Sequence, residues 1–335
     1  MKFQPSALAL AMLSALLVTS AWATSNHSRD TQPTTLIDIA GHQVPVVAGG
    51  LYDRFRSNPP LSVVERESPG TDLSWFKSLE KTKVDIGFES YSPNFYYENS
   101  RVSVIFTADL DRLRDLIPPD VLAQVQPLSI WPGRGLVALT AYAYHYCDND
   151  SYNEIALAIV TTRPGQSNLG PISLIGQAMS KDFWGYVIDL PVDTELARVR
   201  GVVGYNLPKW LTRIDYRQTD SAVIFEIDDP ETGAVDVTLE TARLSELSDD
   251  KSLVTNSFVN LDHAGQLSYG YAVSRPLQQA SSTDGGTVSL RLSDGPMSTL
   301  IKSLKLGRML RYEYIPSFQS ALYAPRPLSE RQSKP

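Results

Sequence analysis

Lys209 is the residue whose surroundings most favour chemistry. It lies between Gly201 and Leu211, a segment in which it is the only charged residue and in which Tyr205 and Trp210 are close neighbours. Burial disfavours the charged form of a lysine and lowers its pKa. A lysine that is neutral near pH 7 is a nucleophile that can form a Schiff base with a ketone. The alternative is a lysine whose apolar stem lies along these neighbours while its ammonium reaches solvent.

Four other residues are candidates for a site around such an amine. Glu154 begins a predicted strand, where its carboxyl either binds substrate and moves protons or is simply exposed. Arg101 either holds a substrate carboxylate through two parallel hydrogen bonds or lies in solvent. Tyr205 and Trp210 are interpreted as walls of a pocket rather than as catalysts. The Trp210 indole would attract a protonated amine by about 0.5–2 kcal/mol, which opposes the effect of burial.

The elements that must position these residues are predominantly strands. The segment from Gly135 to Tyr146 alternates strictly, with Tyr142 and Tyr144 on one face and small apolar residues on the other. Further predicted strands are 154–162, 171–177, 184–190, 212–218, 222–228, 235–241, 253–261, 268–275, 286–292 and 309–315. Two helices are predicted within this region, one capped by Asp109 and one from Met297 to Gly307. Many short strands with few helices indicate a sandwich or a barrel.

The N-terminal part of the chain differs from this pattern. Lys2, an apolar run from Ala7 to Val18 and Ala21-Trp22-Ala23 together predict a signal peptide over 1–23 and therefore a periplasmic or secreted protein. Residues 24–84 are predicted to form a partly disordered extension, whose role the sequence leaves open. Residues 326–335 are predicted to be a disordered tail.

Charge and composition limit the partners. The 335 residues carry a net charge of −7, which argues against a nucleic-acid partner. After signal cleavage, no stable membrane insertion is expected. The four histidines are scattered and the single cysteine, Cys147, has no partner for a disulfide, so we expect no metal and no cofactor. The Asp148–Asp150 turn is interpreted as a solvated turn, because it lacks the other ligands of a calcium loop.

The order of several short motifs over residues 85–325 resembles the acetoacetate decarboxylase superfamily. The matching segments are Asn94 to Tyr97, Val102 to Thr107, Ala108 to Pro118, Ser151 to Glu154, Gly201 to Lys209, Gly286 to Leu292 and Tyr314 to Pro316. The resemblance implies a mainly β fold, a closed antiparallel β-barrel with a few short helices and with the lysine inside. It also implies that a homo-oligomer is possible.

The same resemblance assigns roles to two residues and leaves two positions changed. The family's Schiff-base lysine falls on Lys209 and its inward-pointing glutamate on Glu154. The second lysine of the true decarboxylases is replaced by Trp210. The family's active-site arginine has no exact counterpart, because Arg101 lies two positions later and a one-residue bulge does not make up the difference.

Two functions of different classes follow from these residues. The first is an exported Schiff-base lyase that acts on a keto acid through Lys209, with a substrate other than acetoacetate. The alternative is a non-catalytic periplasmic barrel that has lost the decarboxylase activity and binds a keto acid or an apolar ligand.

Overall fold

The computed structural model describes residues 32–331, and its centre is a closed β-barrel of seven strands. The predicted signal peptide and residues 24–31 lie outside this range. The barrel strands, in spatial order, are β13 (Val254–Leu261), β14 (Leu267–Ser282), β16 (Met309–Pro327), β5 (Asn94–Asp109), β6 (Arg134–Cys147), β7 (Tyr152–Val160) and β8 (Asp182–Val192). The predicted mainly β barrel is therefore confirmed.

One junction of the barrel is parallel. All other neighbours in the ring pair antiparallel, whereas β13 runs parallel to β8, with Ser257 opposite Trp184. A short strand, β9 (Lys209–Leu211), pairs parallel with the far end of β8, beyond the segment that pairs with β13. Lys209 lies opposite Leu190. The lysine is therefore fixed by backbone hydrogen bonds to the barrel wall.

A second sheet covers one side of the barrel. It consists of β10 (Ile214–Gln218), β11 (Ala222–Asp228), β12 (Val235–Ala242) and β15 (Val288–Leu292), paired in the order 10-11-12-15. Its buried side chains, such as Phe225 and Leu239, form one apolar core with the outward face of the barrel, represented by Val104, Leu139 and Leu157. The alternating apolar residues of β6 therefore face this core rather than the barrel interior.

Eight helices connect or cover the strands of the described region. They are α1 (Leu51–Phe55), α2 (Leu61–Glu67), α3 (Ser74–Lys77), α4 (Leu110–Asp115), α5 (Pro119–Leu122), α6 (Pro171–Ser180), α7 (Glu195–Tyr205) and α8 (Pro296–Ser303). The side chain of Asp109 caps α4 as predicted, by accepting a 3.0 Å hydrogen bond from the Arg112 amide. None of the helices within residues 32–331 is long and apolar enough to cross a membrane.

The strand predicted over 171–177 is wrong, because these residues form α6. A short apolar run does not by itself distinguish a strand from a helix. Pro171 occupies the first turn, where its missing N–H costs nothing, and Gly170 precedes it at a positive φ of 63°. Helix α7 was also missed, although Thr194 caps it by accepting a hydrogen bond from the Ala197 amide at 3.3 Å.

The N-terminal extension folds onto the barrel from residue 34 onward. It forms a hairpin of β1 (Thr34–Ile39) and β2 (His42–Val47), then α1 to α3, and a second hairpin of β3 (Thr82–Asp85) and β4 (Glu89–Ser92). At the other end, β16 continues to Pro327, past the predicted boundary at 325. Both ends of the described chain are thus built into the fold.

The turn from Asp148 to Asp150 holds this extension in place, so its interpretation as a solvated turn is wrong. Asp148 is fully buried and forms a 2.5 Å ion pair with Lys81, which itself lies in the extension. Asp150 accepts a 3.2 Å hydrogen bond from the Tyr52 amide in the first turn of α1. A carboxylate at this position also interacts favourably with the helix dipole.

Candidate active site

The site is centred on an ion pair between the two residues that the resemblance selects. Lys209 Nζ lies 2.5 Å from Glu154 Oε2, and the two side chains are only 8% and 10% exposed. Burying one of these charges alone would cost several kcal/mol, so each stabilises the other in this position. The alternative in which Lys209 extends to solvent is therefore wrong.

Helix α7 and the turn after it place Lys209. The helix ends at Tyr205 and Asn206 adopts the left-handed conformation at φ 47°, which turns the chain back towards β9. The stem of Lys209 then lies directly on Gly201, where an added Cβ would overlap the Cδ and Cε atoms of the lysine. The glycine in this segment is thus required by the close approach of the lysine stem to α7.

Glu154 is positioned by cross-strand pairing. In the barrel wall Arg101 of β5 lies opposite Tyr142 of β6, and Tyr142 lies opposite Glu154 of β7. Directly opposed residues in a sheet point to the same face and their side chains interact. Arg101, Tyr142 and Glu154 therefore form one row across three strands of the wall.

Arg101 is buried in this row, a few residues after an irregular part of β5. Its pairing with β6 shifts register between Tyr96 and Glu98 and again between Glu98 and Asn99. The two shifts have opposite sign and cancel, so Tyr96 and Asn99 are in the same register, and the shifts do not account for the spacing that a single bulge does not explain. The arginine is buried, its guanidinium lies 5.4 Å from the Phe318 ring centroid, and its Nε has no hydrogen-bond partner.

Four tyrosines surround the ion pair. The Tyr152 ring centroid is 5.6 Å from Lys209 Nζ, and the Tyr144 hydroxyl donates a long, 3.4 Å hydrogen bond to Glu154 Oε1. Tyr96 shares a 3.1 Å hydroxyl contact with Tyr152, and Tyr142 stacks on Tyr144 with ring centroids 5.3 Å apart. The result is an aromatic enclosure with several hydroxyl groups near the pair.

These tyrosines are hydrogen-bond donors at neutral pH. Burial raises the pKa of Tyr96, Tyr144 and Tyr152 well above the usual value, and the nearby Glu154 carboxylate adds to each shift. Burial also raises the pKa of Tyr142, although Arg101 opposes this shift. The phenols therefore add no negative charge to the enclosure and can donate to an oxygen that becomes negative during a reaction.

The two predicted wall residues lie in different places. Tyr205 is buried at the end of α7, and its phenol is close enough to Tyr96 to contribute to the raised pKa of that residue. Burial raises the pKa of Tyr205 itself to about 12. Trp210 follows Lys209 in β9 and points to the opposite face, as consecutive strand residues do.

The indole of Trp210 donates a 2.6 Å hydrogen bond to Asp189 and packs against the core under the second sheet. The ring over the amine is that of Tyr152 rather than the predicted indole. The spacing Tyr152-x-Glu154 would have indicated this, because two residues apart in a strand share a face. Tyr96 had no comparable indication in the sequence.

Among the described residues, no three His, Cys, Asp or Glu side chains are grouped so as to hold a metal ion. A cleft of about 780 Å³ lies elsewhere, between the β1–β2 hairpin and β10–β11, and neither Lys209 nor Glu154 lines it. The chemistry available at the ion pair is therefore that of an amine, a carboxyl, a guanidinium and phenols.

Comparisons with known proteins agree on the fold. No family model and no curated protein matches the sequence. The solved acetoacetate decarboxylase of Legionella pneumophila subsp. pneumophila str. Philadelphia 1 matches with a TM-score of 0.52 at 13% identity, covering 70% of this chain and 87% of that chain.

Two other solved structures are similar at lower scores. The enduracididine biosynthesis enzyme MppR has a TM-score of 0.49 at 13% identity, covering 71% of this chain and 90% of its own. An acetoacetate decarboxylase-like enzyme from Sphingomonas wittichii RW1 has a TM-score of 0.45 at 15% identity, covering 73% and 97%. The first match carries the conclusion that this chain has the acetoacetate decarboxylase-like fold, as its motifs predict.

Proposed function

We propose that this protein is an exported Schiff-base lyase that acts on a keto acid through Lys209. The observation that carries the proposal is the buried 2.5 Å contact between Lys209 and Glu154, enclosed by protonated tyrosines inside a barrel of the acetoacetate decarboxylase type. A lysine placed beside a carboxyl group can lose its proton locally, without transfer to bulk water.

The reaction begins with that proton. Lys209 transfers it to Glu154 and the neutral amine attacks the ketone carbon of the substrate. Glu154 returns the proton to the hydroxyl group of the adduct, water departs and a protonated imine remains. When the bond to the carboxylate carbon breaks, its electron pair moves into the imine to form an enamine and carbon dioxide departs. Glu154, which takes up a proton from solvent, then protonates the enamine carbon, and water hydrolyses the imine to release the ketone product and the amine of Lys209.

Arg101 is proposed to bind the carboxylate of the substrate. Its buried guanidinium has an unpartnered Nε and lies two strands from Glu154 on the same face of the wall. A guanidinium binds a carboxylate with two parallel hydrogen bonds, and desolvation strengthens this contact. The substrate carboxylate would thereby be held within reach of the imine carbon.

The substrate is proposed to be a keto acid other than acetoacetate. The residue after Lys209 is Trp210, whose indole bonds to Asp189 on the other face of β9, so no second ammonium lies beside the amine at this position. Aldol or dehydration steps on larger keto acids would use the same imine. Export rests on the predicted signal peptide, and cleavage after Ala23 would leave Thr24 as the first residue.

Borohydride trapping tests the proposal directly. The protein is incubated with acetoacetate, pyruvate and a panel of longer keto acids and is then reduced with borohydride. Its intact mass is measured by mass spectrometry. We expect a stable adduct that maps to Lys209 and is absent from Lys209→Met. Lys83→Met, which removes an exposed lysine, is the matched control and keeps the adduct.

The outcomes separate the two function classes. The absence of an adduct across the panel, in a protein that still binds apolar ligands, contradicts the lyase and supports a binding barrel. Arg101→Met is expected to weaken trapping of keto acids while leaving trapping of the corresponding simple ketones unchanged. Export is checked separately, by measuring the N-terminal residue of the protein recovered from the periplasm or the medium.

A further inference from the structure

Asn99 is a buried polar residue beside the ion pair, and the proposed reaction does not use it. It pairs with Tyr144 in the ladder between β5 and β6, and Tyr144 pairs with Tyr152 of β7. These three residues form the row next to the one that contains Arg101 and Glu154. Rows on one face of a sheet are about 7 Å apart, so Asn99 is a direct neighbour of the residues that would bind the substrate.

The hydrogen bond that Asn99 makes determines which atom of its amide is free. Its Nδ2 donates a 3.0 Å hydrogen bond to the Phe318 carbonyl. Because a carbonyl oxygen only accepts, the amide nitrogen must lie on this side and Oδ1 on the other. The ring of Phe318 lies 5.4 Å from the guanidinium of Arg101, so one residue of β16 holds both side chains in place.

The Oδ1 atom of Asn99 is an acceptor without a donor. The residue is 2% exposed, and this oxygen has no hydrogen-bond partner among the described residues. Two further unpartnered atoms, Asn94 Nδ2 and Arg101 Nε, belong to buried side chains of the same strand. Buried polar atoms without a partner are costly and rare in native structures, unless a ligand or a water supplies the missing partner. Strand β5 therefore has the features of a wall that binds a polar ligand.

Asn153 shows that a free amide oxygen alone does not define a site. It is fully buried, its Nδ2 donates a 2.9 Å hydrogen bond to the Ile214 carbonyl, and its Oδ1 is also unpartnered. It precedes Glu154 in β7, however, and therefore faces the opposite side of the wall, towards β10. Asn99 differs from Asn153 in its position beside the residues that would bind the substrate.

We propose that Asn99 selects a keto acid that carries a hydrogen-bond donor, such as a hydroxyl group, on its carbon chain. The inference rests on the proposed reaction at Lys209 and adds the class of its substrate. The carboxylate would bind to Arg101, the ketone carbon would meet Lys209, and the hydroxyl would donate to Asn99 Oδ1. A site that is built to bond a substrate hydroxyl rejects the analogue without it, because the buried acceptor then stays unpaired.

Rates of borohydride trapping within matched sets of keto acids test this inference. The sets are built on acetoacetate and on α-keto acids of three to five carbons, each with its terminal hydroxy derivative and the methyl ether of that derivative. The ether has the same electron-withdrawing oxygen as the hydroxy compound but cannot donate. At one subsaturating concentration, we expect the hydroxy compound of at least one set to be trapped at Lys209 about 10-fold or more faster than its two relatives.

Asn99→Leu sharpens the test, because it replaces the amide by an apolar group of similar size. The keto acid without a hydroxyl then leaves no acceptor unpaired, so we expect the preference for the hydroxy compound to disappear while the plain keto acid is still trapped. The ratio is measured within one preparation, so a smaller folded fraction does not change it. Asn153→Leu is the matched control and is expected to keep the ratio of the wild type.

The outcomes distinguish this inference from the proposed reaction. Equal rates within every set for the wild type, a comparison that needs no variant, overturn the inference and leave the lyase intact, because the Asn99 oxygen then binds water only. A preference that persists unchanged in Asn99→Leu overturns it as well. The absence of an adduct with any keto acid contradicts the reaction at Lys209 itself, and the proposed substrate class with it.

Discussion

Two buried lysine–carboxylate pairs have the same 2.5 Å contact and very different surroundings. In the first, Asp148 receives hydrogen bonds from Lys81, from the Phe95 amide at 2.6 Å and from the Tyr97 hydroxyl at 2.7 Å. In the second pair, Glu154 accepts a hydrogen bond from Lys209 and a long, 3.4 Å hydrogen bond from the Tyr144 hydroxyl. The first carboxylate is fully bonded, whereas the second retains acceptor capacity.

The two lysines also differ in the number of contacts that they make. Lys81 also donates to the Ser57 carbonyl at 2.8 Å and lies 4.3 Å from the Phe95 ring centroid, so it joins three parts of the chain. Burial lowers the pKa of Lys81 and raises that of Asp148, and each charge opposes the shift of the other. The comparison indicates that the first pair attaches the N-terminal extension and that the second is available for proton transfer. Four predictions test it.

The largest expected effect is on stability when Lys81 is removed. Lys81→Met leaves Asp148 buried without its counter-charge and is expected to destabilise the protein by about 3–5 kcal/mol. Asp148 has a folded-state pKa above its unfolded value, so the stability it contributes is complete at low pH and is lost as pH rises through the folded pKa. The difference in the free energy of unfolding between the wild type and Lys81→Met should therefore be smaller at acidic pH. Urea unfolding at several pH values measures this.

Lys83→Met is the control for that prediction. Lys83 pairs with Glu89 at the same 2.5 Å, but both side chains are exposed. An exposed pair contributes about 0–1 kcal/mol. Equal destabilisation by the two substitutions would show that the Lys81–Asp148 pair has no special structural role.

Removal of the Glu154 charge should affect both chemistry and folding, because Glu154 is the counter-charge of a buried lysine. Glu154→Gln keeps the shape of the side chain but cannot accept a proton from Lys209, and general-base effects of this kind are worth about 100-fold or more in rate. We expect borohydride trapping by the folded protein to slow by about that factor, and the urea midpoint to fall because the Lys209 ammonium is left buried without its counter-charge. Glu240→Gln, at an exposed pair with Arg291, is the matched control. An unchanged trapping rate would leave Glu154 with a structural role only.

Asp189 extends the comparison to a carboxylate whose close neighbour is an indole instead of a lysine. Burial raises its pKa to about 6, against an opposing hydrogen bond from Trp210. The folded state therefore binds the proton more tightly, and stability falls as pH rises from about 4 to above 6. Asp189→Asn keeps an acceptor for the indole and is expected to stabilise the protein by about 3 kcal/mol at pH 7 and by nothing near pH 4.

The pH dependence of that variant is the decisive measurement. The stabilities of the wild type and Asp189→Asn, measured by thermal or urea unfolding, should converge near pH 4, separate as the pH rises to about 6 and run parallel above it. A constant difference between them across this range contradicts a raised pKa at Asp189.

The smallest effect concerns the two tyrosines that donate to the paired carboxylates. Tyr97→Phe removes a 2.7 Å bond to a buried carboxylate and should cost about 1–3 kcal/mol, whereas Tyr144→Phe removes a 3.4 Å contact and should cost less than about 0.5 kcal/mol. Both changes delete one hydroxyl from a buried ring, so each controls for the other. A larger loss in Tyr144→Phe would reverse the proposed difference between the pairs.

Local patterns in the sequence predicted most of the strands, and the family resemblance supplied the candidate pair. Period-two alternation in β6 and the cap at Asp109 depend on neighbouring residues alone. The resemblance selected Lys209 and Glu154, which are 55 residues apart in sequence and in contact in the structure. The strand prediction for the α6 segment was wrong because a short apolar run is compatible with both a strand and a helix. Only the packing of the segment through Gln177 distinguishes the two.

The sequence alone therefore determined the class of fold and the two charged residues at its centre, because periodicity and motif order are properties of the chain itself. Only the tertiary structure decided that Arg101 lies in the same row as Glu154, since this depends on which residues of β5, β6 and β7 pair with one another. It also decided that Trp210 faces away and that Asp148 is buried by an extension whose composition suggested disorder. Hydrogen-bond register and burial are set by partners that no local pattern identifies.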